Sequence, residues 1–425
     1  MRKSSRLRKV KGPLIAPPLS DRIGNFAVLK RRGQARSSSQ PSSMTIAATT
    51  TATPDAPAQT LVASFERSGY ARVAPAILQP AEPFLDLSGE DIRKRMFLTT
   101  DPQGRELCLR PDLTIPVSRD YLASAQAGKP ASFCYLGAVF RHRENEPDEF
   151  LQAGIESFGR TDAAAADAEM LSLGLEATGH FGLAAPEIRI GDVGLFAALV
   201  EALDLAPAWK RRLIKDFNHK TSLAHDLDRL TIATAHRRPE YQGMLAALAG
   251  SDRAAAHALV TDLLSIAGIS AVGGRSVGEI ADRFLEQAAQ SVPASLPQEA
   301  RALIERFLAV AGEPDEAAAE LRALAQDAGI GLDQALDLFE SRTGFLAARG
   351  VDVARIRFST AFGRGLDYYT GFVFELYDAA VPERGQLVAG GRYDGLLSRI
   401  GSPVAIPAVG FAVWIERLSG GGRRA

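Results

Sequence analysis

Residues 364–371, RGLDYYTG, decide how this chain is read. In eight residues they place a guanidinium (Arg364), a carboxylate (Asp367) and two phenols (Tyr368, Tyr369), closed by a glycine. Gly363 and Gly365 begin a GxG, but Tyr368 stands where the phosphate-cradling GxGxxG needs its third glycine. The stretch is therefore no dinucleotide loop. Polar groups this dense beside strand-like sequence are costly unless they pair with one another or face a ligand.

Three other segments share this character: LRPDLTIPVSR (109–119), FRHRENEPDEFLQAGIES (140–157), and LVAGGRYDGL (387–396) with VGFAVWIERL (409–418). Taken singly, each is equally a core ion pair or a capped strand end. Taken together, they can line a small zwitterion pocket. Gln152 and Glu156 fall on one strand face. Glu156, Asp112 and Thr114 suit an ammonium, Arg364 or Arg141 a carboxylate, and tyrosine hydroxyls an imidazole.

The elements around these segments follow from hydrophobic period and punctuation. AQTLVASFERSGYA (58–71) predicts an amphipathic helix broken at Gly69. Segments 107–110, 133–140, 150–158 and 187–190 predict strands. Asp162 is placed to cap a helix ending near Gly182, and LFAALVEAL predicts another. From about 206 to 351 the pattern is helical. PDEAAAELRALAQDAG is its clearest case, with Pro314 in the first turn, Leu321, Leu324, Ala325 and Ala328 on one face, and Gly329 as the stop. Strand patterning returns in TGFVFELY (370–377), where Phe372, Phe374 and Leu376 share a face. Strands, then helices, then strands predict an α+β sheet domain interrupted by a helical insertion. The expected division is a basic, low-complexity arm over 1–57, core over 58–205, insertion over 206–351 and core again over 352–425.

The chain has 425 residues, 49 basic and 50 acidic side chains, and 46% hydrophobic residues, enough for a sizeable core. The balance hides an asymmetry. Residues 1–43 carry 11 basic residues and one acid, Asp21, which leaves a net charge of −11 over 44–425. Such a body is poorly suited to gripping tRNA. Two isolated cysteines, Cys108 and Cys134, point to a reduced, cytoplasmic setting rather than a disulfide framework. None of the six histidines shows metal-ligand spacing, so neither metal nor cofactor is expected. No apolar run approaches the length of a membrane span. The basic, Ser-rich start reads either as a targeting peptide or as an upstream-extended start; the second is preferred, with the working protein beginning near Met44.

The order and wording of the four segments resemble the histidyl-tRNA synthetases of class II. FRHRE…LQAGIE looks like motif 2, RGLDYYTG and AGGRYDGL like the two histidyl signature peptides, and AVGFAVWIERL like motif 3. The resemblance runs from about 58 to 418. It implies an antiparallel sheet flanked by helices, self-association through that core, and a histidine pocket. By motif position the pocket residues are Asp112, Leu113, Thr114, Arg141, Gln152, Glu156, Arg364, Tyr368 and Tyr369.

Three departures argue against charging of tRNA. The chain stops eight residues after Arg417, leaving no room for an anticodon-binding domain. The loop after Arg141 carries four acids (Glu144, Glu146, Asp148, Glu149) against Arg143, where a triphosphate would lie. Trp414 stands where the motif usually has a small glycine, in the space of an adenine. RPDLT, in place of a glutamate-bearing version, resembles the paralogues that serve as regulatory subunits of ATP phosphoribosyltransferase. That resemblance implies a short-form catalytic subunit as partner, L-histidine as ligand and no catalysis of its own. Two readings stay open on the residues alone: a stand-alone amino-acid adenylating ligase, and a translation-control module using the basic arm.

Overall fold

In a computed structural model of the chain, the residues described are 56–87, 92–144, 146–217 and 298–420, with 223, 227, 258 and 261–263. Most of the basic arm, the start near Met44 and the centre of the helical segment lie outside them. The described residues belong to one compact unit.

The first helix, α1 (Ala56–Arg67), buries Ala58, Leu61, Val62 and Phe65 on one stripe, and the chain turns at Gly69 with φ +93°. It leads into strands β1 (Ala71–Arg72) and β2 (Leu78–Pro80), helix α2 (Glu82–Leu87) and strands β3 (Leu98–Thr100) and β4 (Glu106–Leu109). Strands β2, β4 and β3 make a small antiparallel sheet. Helix α3 (Thr114–Ala123) follows, then the long hairpin β5 (Ala131–Phe140) and β6 (Glu149–Phe158), which pair antiparallel along their whole length. Next come α4 (Ala163–Gly179), β7 (Glu187–Asp192), α5 (Val193–Ala202) and α6 (Pro207–Asp216).

After the undescribed stretch the chain forms α7 (Gln298–Ala309), β8 (Ala311–Gly312), α8 (Pro314–Ala328) and α9 (Asp333–Ala348), then β9 (Ile356–Ser359). It closes with β10 (Phe372–Tyr377), β11 (Val388–Arg392), α10 (Leu396–Arg399), β12 (Ala408–Trp414) and α11 (Ile415–Leu418).

The large sheet has nine strands in the order β1-β5-β6-β12-β11-β10-β7-β9-β8. The six from β5 to β7 are antiparallel throughout, as expected. The flanks refine that expectation to a mixed sheet, because β1 joins β5 and β9 joins β7 in parallel. A parallel pair needs a long crossover. Between β7 and β9 that crossover is the helical segment itself, which brings the chain back to the same sheet edge.

Helix α4 lies across β10, β11 and β12, and α9 packs on α4. Gly174 is the point of closest approach: a Cβ there would stand 3.2 Å from the Phe374 ring. On the same sheet Phe411 receives Phe65 edge-on at 5.8 Å, which ties α1 to the core. Pro314 begins α8 and Gly329 ends it in the left-handed conformation (φ +65°), but Ala328 is exposed rather than on the buried face. Asp162 precedes α4 without capping it. Its carboxylate is taken by Arg160 through bonds of 3.0 and 2.6 Å, a charge-assisted pair stronger than a neutral cap. Among the described residues no helix is long and apolar enough to cross a membrane.

Candidate functional site

Strand β6 places Gln152, Gly154 and Glu156 on one face, each paired with β12. Glu156 is fully buried. Its Oε1 accepts from Thr114 Oγ1 at 2.7 Å and from the Tyr135 hydroxyl at 3.1 Å, and the Tyr393 hydroxyl donates to its Oε2. The carboxylate is thus met by three hydroxyls instead of a basic side chain. Burial pushes its pKa up to about 8, and the hydroxyls only partly oppose the rise.

The space for this carboxylate is made by Gly410, its partner on β12. A Cβ at Gly410 would run into Glu156 Oε2 and the Ile155 carbonyl. Gly410→Ala is therefore expected to lower the unfolding free energy by about 1–3 kcal/mol, the usual cost of overpacking, read as a lower urea midpoint. An unchanged midpoint would mean that the strands separate freely here.

The third segment closes on the same carboxylate. The rings of Tyr368 and Tyr369 lie 4.7 Å apart, and both face Tyr393 edge-on at 5.7 and 6.4 Å. Arg364 donates from Nη1 to the Tyr369 hydroxyl at 2.6 Å and from Nε to Glu375 Oε1 at 3.1 Å. Burial works against the Arg364 charge, but Tyr369 and Glu375 outweigh it and raise its pKa. Burial holds the Tyr368 phenol well above its ordinary range, so it stays a neutral donor.

Asp112 and Arg141 lie near these groups and near each other. The Asp112 carboxylate accepts from the Ile115 amide at 3.1 Å, and burial raises its pKa against the pull of Arg141. Arg141 donates from Nε to the Pro111 carbonyl at 2.6 Å; burial lowers its pKa and Asp112 opposes that.

The structure therefore gathers Asp112, Thr114, Arg141, Glu156, Arg364, Tyr368 and Tyr369 into one electrostatically coupled cluster. Leu113 contributes differently, since its side chain is buried in the hydrophobic core. Gln152 is 1% exposed, and its Oε1 has no hydrogen-bond partner among the described residues. Three members are additional to the sequence reading. Tyr393 lay within AGGRYDGL, and Tyr135 within a segment read only as strand. Glu375 was legible as the one acid inside the apolar TGFVFELY.

At the other end of β6 the character changes. Trp414 pairs with Gln152 and is buried, and the Arg417 guanidinium stacks on its indole at 5.6 Å. The acidic loop turns back on this arginine. Glu146 Oε2 contacts Arg417 Nη2 at 3.5 Å and also pairs with Arg143.

A six-strand antiparallel core carrying these signature peptides is a class II, histidyl-tRNA synthetase-like arrangement, and the histidyl-tRNA synthetase family model matches residues 50–273 and 255–418. Proteins of Brucella canis and Brucella abortus, each described as an ATP phosphoribosyltransferase regulatory subunit, are 42% identical over 347 residues, covering 80% of this chain and 90% of theirs. The chain belongs to this family of histidyl-tRNA synthetase-like ATP phosphoribosyltransferase regulatory subunits. Two solved structures share the fold. One, described as an ATP phosphoribosyltransferase regulatory subunit/histidyl-tRNA synthetase from Bacillus halodurans, superposes with a TM-score of 0.60 at 22% identity, over 87% of this chain and 78% of its own. The other, a histidine–tRNA ligase subunit from Alicyclobacillus acidocaldarius, gives 0.51 at 24%, over 84% and 89%.

Proposed function

We propose that this chain acts in histidine biosynthesis as the non-catalytic regulatory subunit of a cytoplasmic ATP phosphoribosyltransferase. Its partner is a short-form catalytic subunit, it self-associates through its synthetase-like core, and L-histidine binds at the Glu156 cluster. Family membership supports the assignment. The observation that carries the ligand is the buried Glu156, whose hydroxyl-fixed oxygens suit an ammonium N–H, with the tyrosine hydroxyls around it left to an imidazole. Arg364 and Arg141 supply charge for a carboxylate, and the unpartnered Gln152 oxygen offers a further acceptor. Against charging stand Trp414, seated under Arg417, and Glu146, which spends that arginine's charge internally.

Reconstitution tests this. Mixed with a short-form catalytic subunit, the chain is expected to co-purify, raise its phosphoribosyltransferase activity and make it sensitive to histidine. By linkage, the partner's substrates then weaken histidine binding by the same factor. A partner that is equally active and equally histidine-sensitive alone overturns the proposal. Histidine-dependent exchange of pyrophosphate into ATP would instead establish an adenylating enzyme.

A further inference from the structure

The two peptides whose tyrosines face Glu156 are tied to each other. The Thr370 amide donates to the Arg392 carbonyl at 2.9 Å, and the Asp394 amide donates to Thr370 Oγ1 at 3.0 Å. Tyr368 and Tyr369 precede this junction, and Tyr393 lies inside it. Arg392 anchors it. Consecutive residues at the end of β11 point to opposite faces of the sheet, so Tyr393 reaches Glu156 while Arg392 reaches α4. There its Nε and Nη2 meet Asp167 Oδ1 at 2.8 and 2.6 Å, and its Nη1 donates to Asp394 at 3.0 Å. A Cβ at Gly371 would stand 3.2 Å from the Arg392 side chain, which therefore lies directly against the end of RGLDYYTG.

Asp167 is shared. Its Oδ2 accepts from Nε of Arg342, on α9, at 3.0 Å. The two Nη groups of Arg342 are buried and make no hydrogen bond among the described residues, although Nη1 touches Asp192 Oδ2 at 2.8 Å. Asp192 in turn precedes Val193, whose amide donates to the Gly371 carbonyl at 3.0 Å. Arg342 thus reaches RGLDYYTG by two routes, one through Asp167 and Arg392 and one through Asp192. A buried carboxylate cannot leave one guanidinium for the other without stranding a charge, so these groups move together.

We propose that Asp167 and Arg342 are positioning residues for the Glu156 cluster, acting through Arg392, so that the seat of α9 sets how Tyr393 and the Tyr368–Tyr369 pair meet the ligand. This rests on histidine binding at that cluster. A shift of the helical segment then changes histidine affinity, and histidine shifts the segment through the same coupling.

The test titrates histidine into the full chain by calorimetry, with urea unfolding of each variant beside it. Arg342→Met is expected to lower histidine affinity about three- to thirtyfold, the range for a change carried through a packed polar network. Adding Asp192→Asn is expected to recover part of the stability but none of the affinity, whereas a merely structural role would not separate the two. This double variant also gives the reading if Arg342→Met alone fails to fold. Arg322→Met, which removes a surface cation between α8 and α9, is expected to bind histidine as the unmodified chain does. A signal that needs no ligand keeps this proposal apart from the histidine assignment. The near-ultraviolet circular dichroism lost in Tyr393→Phe reports the Tyr393 ring, and that difference is expected to shrink when Arg342→Met is already present. If the unmodified chain binds no histidine, the histidine assignment falls and the tyrosine signal alone decides. The positioning role is overturned if the Arg342 variants bind histidine as tightly as the unmodified chain, if affinity recovers together with stability, or if the Tyr393 signal is the same in both backgrounds.

Discussion

Glu156→Gln is expected to lower histidine affinity roughly 10- to 100-fold, the range for leaving a buried hydrogen-bond donor unsatisfied. The reason lies in the count of donors. Thr114, Tyr135 and Tyr393 all donate to this carboxylate, and an amide presents only one acceptor oxygen in place of two. The ligand N–H then competes with these hydroxyls for that single oxygen, and at least one tyrosine hydroxyl must turn. Calorimetric titration of histidine checks the affinity; equal affinity in the variant would remove the Glu156 cluster as the ligand site.

The same substitution is expected to change the pH dependence of folding. The Glu156 pKa is raised from 4.5 to about 8 in the folded chain, chiefly by burial. Between those values the folded state holds a proton that the unfolded state releases, so stability falls as pH rises. The contribution is fully present below about 4.5 and lost by the time pH passes about 8. In Glu156→Gln this loss, on the order of several kcal/mol, is expected to disappear from urea midpoints measured from pH 5 to 9. An identical slope in both proteins would show that other groups cause it.

Arg342→Met is expected to be the most destabilising single change, by about 3–5 kcal/mol, as when one member of a buried ion pair is removed. Arg342 rises from α9 into the core with 1% exposure. It meets Asp167 of α4 at 3.0 Å and Asp192 at the end of β7 at 2.8 Å, over the Phe372 ring at 4.7 Å. Asp167 is also held by Arg392, at 2.6 Å, and so keeps a cation in the variant. Among the described residues, Asp192 keeps only its hydrogen bond from the Gly194 amide. Adding Asp192→Asn to Arg342→Met should therefore recover part of the loss, and a double-mutant cycle on urea midpoints measures how much. Strictly additive effects would mean that the 2.8 Å contact carries no energy.

Arg392 links this network to the Glu156 cluster, because the next residue, Tyr393, is the one that reaches Glu156 Oε2. The helical segment thus reaches the site through two buried ion pairs that share Asp167. Nothing local in SRTGFLAARG distinguishes Arg342 from the solvated arginines of that segment, such as Arg322, which pairs on the surface with Asp337 and Glu340.

The antiparallel core was legible because its strands alternate or are apolar throughout, and local periodicity survives in the folded chain. The two parallel flanks were not, because β7 and β9 are joined by long-range pairing that carries no local mark. The candidate site divides in the same way. RGLDYYTG, RPDLT and QAGIE announce themselves by polar residues in strand-like sequence. Tyr135 looked like one more aromatic of a strand until its hydroxyl was placed 3.1 Å from Glu156.

By itself, then, the sequence determined the family, the sheet-forming segments and most of the polar groups of the cluster, since all of these depend on residue type and short spacing. Tertiary structure alone decided which charges are spent on one another. It put Glu146 on Arg417, Glu375 on Arg364 and Arg342 between two aspartates. Those pairings depend on distances between residues far apart in the chain, and on burial that makes an unpaired charge costly.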